Sequence, residues 1–180
     1  MNFSALIAMM VALAAPNAHG PTTVKCQGLL PWNFGLAIPE ESKIVLDYES
    51  CAMVSSVARH HACEPQPDPH PSARRKTRRK VRPVCRLDFL SIRQGLHVLL
   101  HEAAHIGQYR EQQPPDERDA ECRALSGLRL AMSKLRYSET AWQRMDTRMR
   151  SEIASTKTSI NYRTTCPYPL WLPRLHWASK

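Results

Sequence analysis

The sequence of 180 residues lacks three features that would each define a class of protein. It has no internal repeat, which argues against a solenoid or another repeat array. It has no apolar run long enough to span a bilayer, so we expect no integral membrane fold. Its six cysteines include no CxxC pair, which argues against a zinc finger or a dithiol redox motif. The apolar fraction of 43% and charged fraction of 23% indicate one folded domain.

Segments with the alternating pattern of a β-strand are also scarce, and we therefore predict a mainly α fold with irregular proline-rich connections. One short extended piece is predicted at Lys43–Leu46. Helices are predicted at about 48–61, 87–106, 115–134 and 139–155, with Gly107 ending the second and Asp116 and Ser138 beginning the last two. No strand is evident that would hold a peptide by edge pairing, so the sequence does not account for a substrate groove.

The first twenty residues have the layout of a secretory signal peptide, an apolar run from Ala5 to Ala15 followed by small residues. We predict that residues 1–18 are a signal peptide cleaved after Ala18 and take no part in the fold. An uncleaved N-terminal anchor is the alternative. Residues 19–180 would then form one exported domain, either secreted or held in the periplasm or cell envelope.

The cysteines are consistent with export, because all of them follow the predicted signal and are widely dispersed. We expect up to three disulfides, and Cys63 and Cys85 are candidates to close the loop between them. Reduced cysteines in a cytosolic protein are the alternative. The six candidates are Cys26, Cys51, Cys63, Cys85, Cys122 and Cys166.

A proline-rich and basic loop at 64–84 separates an N-terminal segment with one helix, 19–63, from a helical core with an irregular C-terminal tail, 85–180. From Glu64 to Arg86 the chain supplies +6 of the net charge of +9. We predict a disordered, solvated loop whose Arg74–Lys80 run makes at most weak contact with a polyanion. With no aromatic residue to stack on bases, specific nucleic-acid recognition is not expected. A protease-sensitive linker is the simpler interpretation.

The stretch HEAAH places His101 and His105 on one face of the second predicted helix, one turn apart, with Glu102 beside them. This is the HExxH pattern, in which two histidines bind zinc and the glutamate acts as general base. His97 extends the stripe, but it lies about 12 Å from His105 along the helix axis. We therefore expect His97 to be packed or to face the substrate rather than to bind the same metal.

The third predicted helix carries acids on its apolar face. Glu117 and Glu121 precede the apolar positions Ala124, Leu125, Leu128, Met132 and Leu135 at helical spacing. Buried carboxylates need a positive partner, and a zinc ion held by the two histidines would supply it. Glu117, Glu121, Asp116 and Asp119 are all candidates for the third ligand. Cys122 points away from this face, and we assign it to a disulfide.

HEAAH followed by ERDAE resembles the gluzincin type of zinc metallopeptidase over about thirty residues, Leu96 to Leu125. The resemblance implies that Glu117 is the third zinc ligand, that Glu121 orients a ligand histidine, and that Ala120 permits close helix packing. Glu121 stands where aspartate is usual, which adds one methylene. More loosely, the chain looks like small exported metallopeptidases of unknown substrate.

We therefore expect one Zn²⁺ per chain and hydrolysis of a peptide or protein substrate, with Glu102 taking the proton of the attacking water. Spacing does not choose the residue that stabilises the oxyanion. The candidates are His97, Tyr109, Tyr137, Tyr162 and His176. Two other functions are considered: a non-catalytic binding module stapled by zinc, and a basic adaptor that binds polyanions through Arg74–Lys80.

Overall fold

The computed structural model describes residues 2–31, 33–60 and 89–155, and it confirms a mainly α fold. Within these ranges it contains five helices and one three-stranded sheet. The elements in chain order are α1 (Phe3–Ala14), β1 (Thr23–Cys26), β2 (Gly35–Ile38), a 3₁₀ turn (Pro39–Glu41), β3 (Lys43–Leu46), α2 (Tyr48–His60), α3 (three segments, Phe89–Ser91, Ile92–His97 and Val98–Arg110), α4 (Glu117–Lys134) and α5 (Glu139–Ser155).

The sheet has β3 at its centre, parallel to β1 and antiparallel to β2. The predicted strand Lys43–Leu46 is thus confirmed, and its three buried residues, Ile44 to Leu46, join the core. The sequence did not predict the other two strands. Among the described strands β1 and β2 are at the edges of the sheet, and β2 lies against α3. This contact shapes the cleft beside α3.

Helix α3 is α-helical at both ends and π-helical from Ile92 to His97. In the π segment Gly95 crosses α2 closely, since a Cβ there would lie 2.7 Å from the backbone nitrogen of Val54. The predicted end of this helix at Gly107 is wrong, because the helix continues to Arg110. Gly107 instead allows close contact with the backbone of Asn17, and the chain turns at Gln112, which has a φ of 56°.

The predicted starts of α4 and α5 are confirmed. The Asp116 side chain accepts hydrogen bonds from the backbone of Arg118 and Asp119, and Ser138 Oγ accepts one from Ala141 N at 3.2 Å. Such caps satisfy backbone groups that a helix leaves unpaired at its first turn. Both helices bury the apolar faces that their spacing predicts: Leu125, Leu128 and Met132 on α4, and Trp142, Met145 and Met149 on α5.

The N-terminal segment packs into the core of the chain, contrary to the expectation that it takes no part in the fold. Leu6, Met10 and Leu13 of α1 are buried. Asn17 is also buried, and its side-chain amide donates to the carbonyls of Leu100 and Arg123. An apolar run that can serve as a signal has the same composition as a helix that fills a core, so its sequence does not distinguish them. Cleavage after Ala18 stays a prediction.

A disulfide joins Cys26, at the end of β1, to Cys51 in the first turn of α2, with their Cα atoms 6.1 Å apart. Cys122 is also disulfide-bonded, as assigned from the sequence. The predicted Cys63–Cys85 pair, the basic loop at 64–84 and the C-terminal tail with Cys166 lie outside the described residues. No helix in the described part of the chain is long and apolar enough to cross a membrane.

Candidate metal centre

The candidate metal centre lies where α3 meets the first turn of α4. His101 and His105 stand one turn apart on α3, and Glu117 is the first residue of α4. Asp116 caps α4, and this fixes where Glu117 enters the helix. The local sequence thus delivers two imidazoles from one helix and one carboxylate from the next.

The three side chains converge on one point. His101 Nε2 lies 3.0 Å from Glu117 Oε2 and 3.2 Å from His105 Nε2, and His105 Nε2 lies 3.5 Å from Glu117 Oε2. Two ligands of a tetrahedral zinc ion, each about 2.05 Å from the metal, are about 3.3 Å apart. The three distances therefore match one face of such a tetrahedron, and the group His101, His105 and Glu117 can hold a metal ion.

Glu121 lies behind His101, and its carboxylate is buried between two histidines. His101 Nδ1 donates to Glu121 Oε2 at 3.2 Å, while His97 Nε2 lies 3.3 Å from Glu121 Oε1. Burial opposes ionisation of Glu121, but the charge of His97 and the contacts with both histidines hold its pKa well below the usual range. Although glutamate is one methylene longer than the aspartate that gluzincins usually have at this position, Glu121 contacts His101. His97 is packed at the back of the site, away from the cleft.

The same contacts determine the charge of His101. Burial disfavours the imidazolium form, but the hydrogen bonds to Glu117 and Glu121 and the charge of Glu102 outweigh burial and raise the pKa of His101 to about 10. The carboxylates around His101 therefore favour positive charge at this ring, and Nε2 is the atom that also belongs to the group able to hold a metal ion.

Gln108 contacts His105 from behind the cluster, and the sequence analysis did not identify it. His105 Nδ1 lies 3.0 Å from Gln108 Oε1, and Gln108 Nε2 donates to the carbonyl of Asp116 and to the carboxylate of Asp119. A polar residue three positions after a ligand histidine, on the same helical face, is the available sequence signal. It is weak, because a glutamine in that place is commonly solvent-exposed.

The competing acids have other partners. Asp116 caps α4, and Asp119 Oδ2 pairs with Arg123 Nε at 2.6 Å in addition to its bond with Gln108. In the described part of the chain, neither belongs to the cluster of converging ligand atoms. Glu117, with its side chain 47% exposed, is the acid that faces both histidines.

Glu102 lies between the histidines and the edge strand β2. Burial raises the pKa of Glu102. This rise is only partly offset by the neighbouring His101 and His105 and by a backbone hydrogen bond from Ala37. Gly35 of β2 gives the carboxylate its space, since a Cβ there would lie 2.8 Å from Glu102 Cγ and 2.7 Å from Val98 Cγ1. A glycine in the strand thus lets the sheet approach the candidate base closely.

A cleft of about 570 Å³ opens over this group. Strand β2 and the turn after it form one wall, and α3 with the start of α4 forms the other. Tyr109 lines the cleft and is half exposed. The other described oxyanion candidates do not: Tyr137 is buried and donates to the carbonyl of Val57, and His97 is behind Glu121. Tyr162 and His176 lie outside the described residues.

The arrangement combines three potential metal ligands, one half-buried carboxylate beside them and an open cleft with a strand at its edge. Chemically, it can hold a cation and place a proton acceptor next to it. No family model matches the chain, and neither the curated proteins nor the solved structures with which it was compared include a match.

Proposed function

We propose that the protein is a zinc-dependent peptidase of the gluzincin type. The observation that carries the proposal is the convergence of His101 Nε2, His105 Nε2 and Glu117 Oε2 at 3.0 to 3.5 Å from one another. Two imidazoles and one carboxylate suit zinc, and three protein ligands leave a position open, as catalytic zinc sites do. The zinc would be held by His101, His105 and Glu117.

When bound, zinc supplies Lewis acidity that polarises a carbonyl group and lowers the pKa of water. The chain's own contribution begins with Glu102, which lies beside the open side of the cluster. A carboxylate with a raised pKa is a better proton acceptor near neutral pH than an ordinary glutamate. Glu102 takes the proton of the attacking water and then transfers it to the leaving amine.

Strand β2 supports a peptide as the substrate. It is one of the two edge strands of the described sheet, and it lines the cleft through Gly35, Leu36 and Ala37. An edge strand has backbone N–H and C=O groups that can pair with an extended peptide, which then adds as a further strand. The N–H of Ala37 is not among them, because it donates to Glu102. The sequence alone did not provide this groove, because β2 was not predicted. Tyr109 is our candidate to donate a hydrogen bond to the oxyanion.

The two alternatives predict different properties. A non-catalytic module would bind zinc without cleaving peptides, and the open cleft beside Glu102 argues for catalysis instead. A polyanion adaptor would work through Arg74–Lys80, which lies outside the described residues. That function would not explain why the histidines and glutamates converge.

The test is the Glu102→Gln variant of the full chain, which keeps the side-chain shape but has no basic carboxylate. We expect one zinc per chain and an unchanged melting temperature, together with loss of cleavage of a quenched fluorescent peptide library. Glu49→Gln, a change to an exposed carboxylate on α2 that does not line the cleft, should leave cleavage intact. Equal cleavage by Glu102→Gln and the wild type would refute the role of Glu102. A zinc-loaded wild type that cleaves nothing would support the non-catalytic module.

A further inference from the structure

Gln108 is one of the most deeply buried polar residues of the described chain, with 1% of its surface exposed. Its amide is fully hydrogen-bonded. Nε2 lies 2.8 Å from the carbonyl oxygen of Asp116 and 2.9 Å from Asp119 Oδ2, and Oε1 lies 3.0 Å from His105 Nδ1 and 3.3 Å from Asp116 N. A side-chain amide has two donors and one acceptor oxygen with two lone pairs, and all of them are used here.

These partners fix which way the amide faces. The carbonyl of Asp116 and the carboxylate of Asp119 can only accept, so the NH₂ group must point to them. Oε1 must then face His105, and because it can only accept, His105 Nδ1 must carry the hydrogen. In the imidazole tautomer with its hydrogen on Nδ1 the lone pair is on Nε2, the atom that points at His101 and Glu117.

The same amide joins the two helices of the site. Asp116 caps α4 and Asp119 lies in its first turn, one residue before and two residues after Glu117. Gln108 is on α3, one turn from His105. Its hydrogen bonds therefore hold the start of α4 at a defined position against the helix that carries the histidines. A carboxylate at position 108 could accept from His105, but it could not donate to Asp116 and Asp119.

We propose that Gln108 is a positioning residue that fixes His105 in the Nδ1–H tautomer and so presents its Nε2 to the metal. The proposal rests on the proposed metal site. Glu121 makes the corresponding contact with Nδ1 of His101, so each histidine has its own acceptor on the side away from the cluster. Such partners of ligand histidines set the ring orientation, and their loss weakens metal binding.

The test uses full-length Gln108→Leu and Gln108→Glu, with Gln143→Leu as control, because Gln143 is exposed on α5. Zinc affinity is measured by competition with a chelating dye, stability by melting of the chelated protein, and the His105 tautomer by ¹⁵N chemical shifts. We expect Gln108→Leu to bind zinc about 10- to 100-fold more weakly and to lose the Nδ1–H tautomer. Gln108→Glu keeps the acceptor for His105 but loses both donors and faces Asp119, so it should melt at a lower temperature, keep the Nδ1–H tautomer and lose less zinc affinity than Gln108→Leu.

The outcomes separate this proposal from the metal site. Wild-type affinity and an unchanged tautomer in Gln108→Leu would overturn the role of Gln108 alone. If Gln108→Leu and Gln108→Glu lose zinc affinity only in proportion to the fall in their melting temperatures, Gln108 has a purely structural role. That result would also overturn the proposal. A wild-type chain that binds no zinc overturns the metal site and this proposal together.

Discussion

At the scale of single residues, the site consists of imidazoles whose two nitrogens have different tasks. The Nε2 atoms of His101 and His105 converge, while each Nδ1 faces an acceptor, Glu121 for His101 and Gln108 for His105. The two acceptors differ in charge. The carboxylate of Glu121 favours a cation on His101, whereas the neutral amide of Gln108 directs His105 without adding charge. Of the two proposed ligand histidines, one thus has a charged hydrogen-bond acceptor at Nδ1 and the other an uncharged one.

The charge of His101 predicts how the stability of the chelated, metal-free protein depends on pH. Folding raises the pKa of His101 from 6.5 to about 10, so protonated His101 stabilises the folded state. This contribution to the free energy of unfolding is fully present below about pH 6.5 and is lost as the pH rises through about 10. We expect the melting temperature of the chelated chain to fall across this range. In His101→Gln the fall should be clearly shallower. Parallel pH profiles for the two proteins would contradict the assignment.

At the scale of elements, the site depends on the approach of β2 to α3. Gly35 lies against Val98 and Glu102, so the edge strand and the candidate base are fitted to each other. Ala37 adds a backbone hydrogen bond to the same carboxylate. The strand therefore serves both as a wall of the cleft and as a support for Glu102.

Gly35→Ala should displace Glu102 while leaving the metal ligands in place. A new Cβ would lie within 2.8 Å of side-chain carbons of both Val98 and Glu102, so one of them must move. Since a displacement of about 1 Å can cost about 100-fold in rate, we expect peptide cleavage to fall at least tenfold with the zinc content unchanged. Gly28→Ala is the matched control, because its Cβ would meet Tyr48 at an ordinary 3.7 Å. Full activity in Gly35→Ala would show that β2 does not position the base.

The elements also show what the sequence can predict. The helices α2, α4 and α5 and the strand β3 follow from local apolar spacing and from caps such as Asp116, and the HExxH spacing alone brought His101 and His105 together. Strands β1 and β2 are only four residues each. β1 pairs with β3 across a long connection and β2 pairs with β3 across the turn at 39–42, so neither has a local apolar pattern long enough to mark it. The role of Gln108 depends on contacts with Asp116 and Asp119 across two helices, and spacing does not reveal it.

At the scale of the whole molecule, the N-terminal segment connects the parts of the fold that carry the site. Asn17 bonds to α3 at Leu100 and to α4 at Arg123, and a Cβ at Gly107 or Gly127 would overlap it. Two glycines on the two site helices therefore leave room for one residue of this segment. Cleavage after Ala18 would take Asn17 and the buried face of α1 out of the core.

Asn17→Ala should therefore destabilise the full chain. It removes two hydrogen bonds and leaves two carbonyls without this partner, which costs about 1–3 kcal/mol when the site is buried. We expect the free energy of unfolding in urea to fall by about that amount. Asn33→Ala, at an exposed position before β2, should unfold like the wild type. Equal stability of Asn17→Ala and Asn33→Ala would show that the segment does not pack against α3 and α4 in solution.

The central claim is that His101, His105 and Glu117 bind one zinc ion, and the most direct test is the zinc content of the purified full-length chain. We predict one equivalent in the wild type and in Glu40→Ala, and close to none in His101→Ala and Glu117→Ala, because removing one of three protein ligands takes away much of the binding energy. The melting temperature of the zinc-loaded wild type should also exceed that of both variants. A full equivalent of zinc in both His101→Ala and Glu117→Ala would contradict the account.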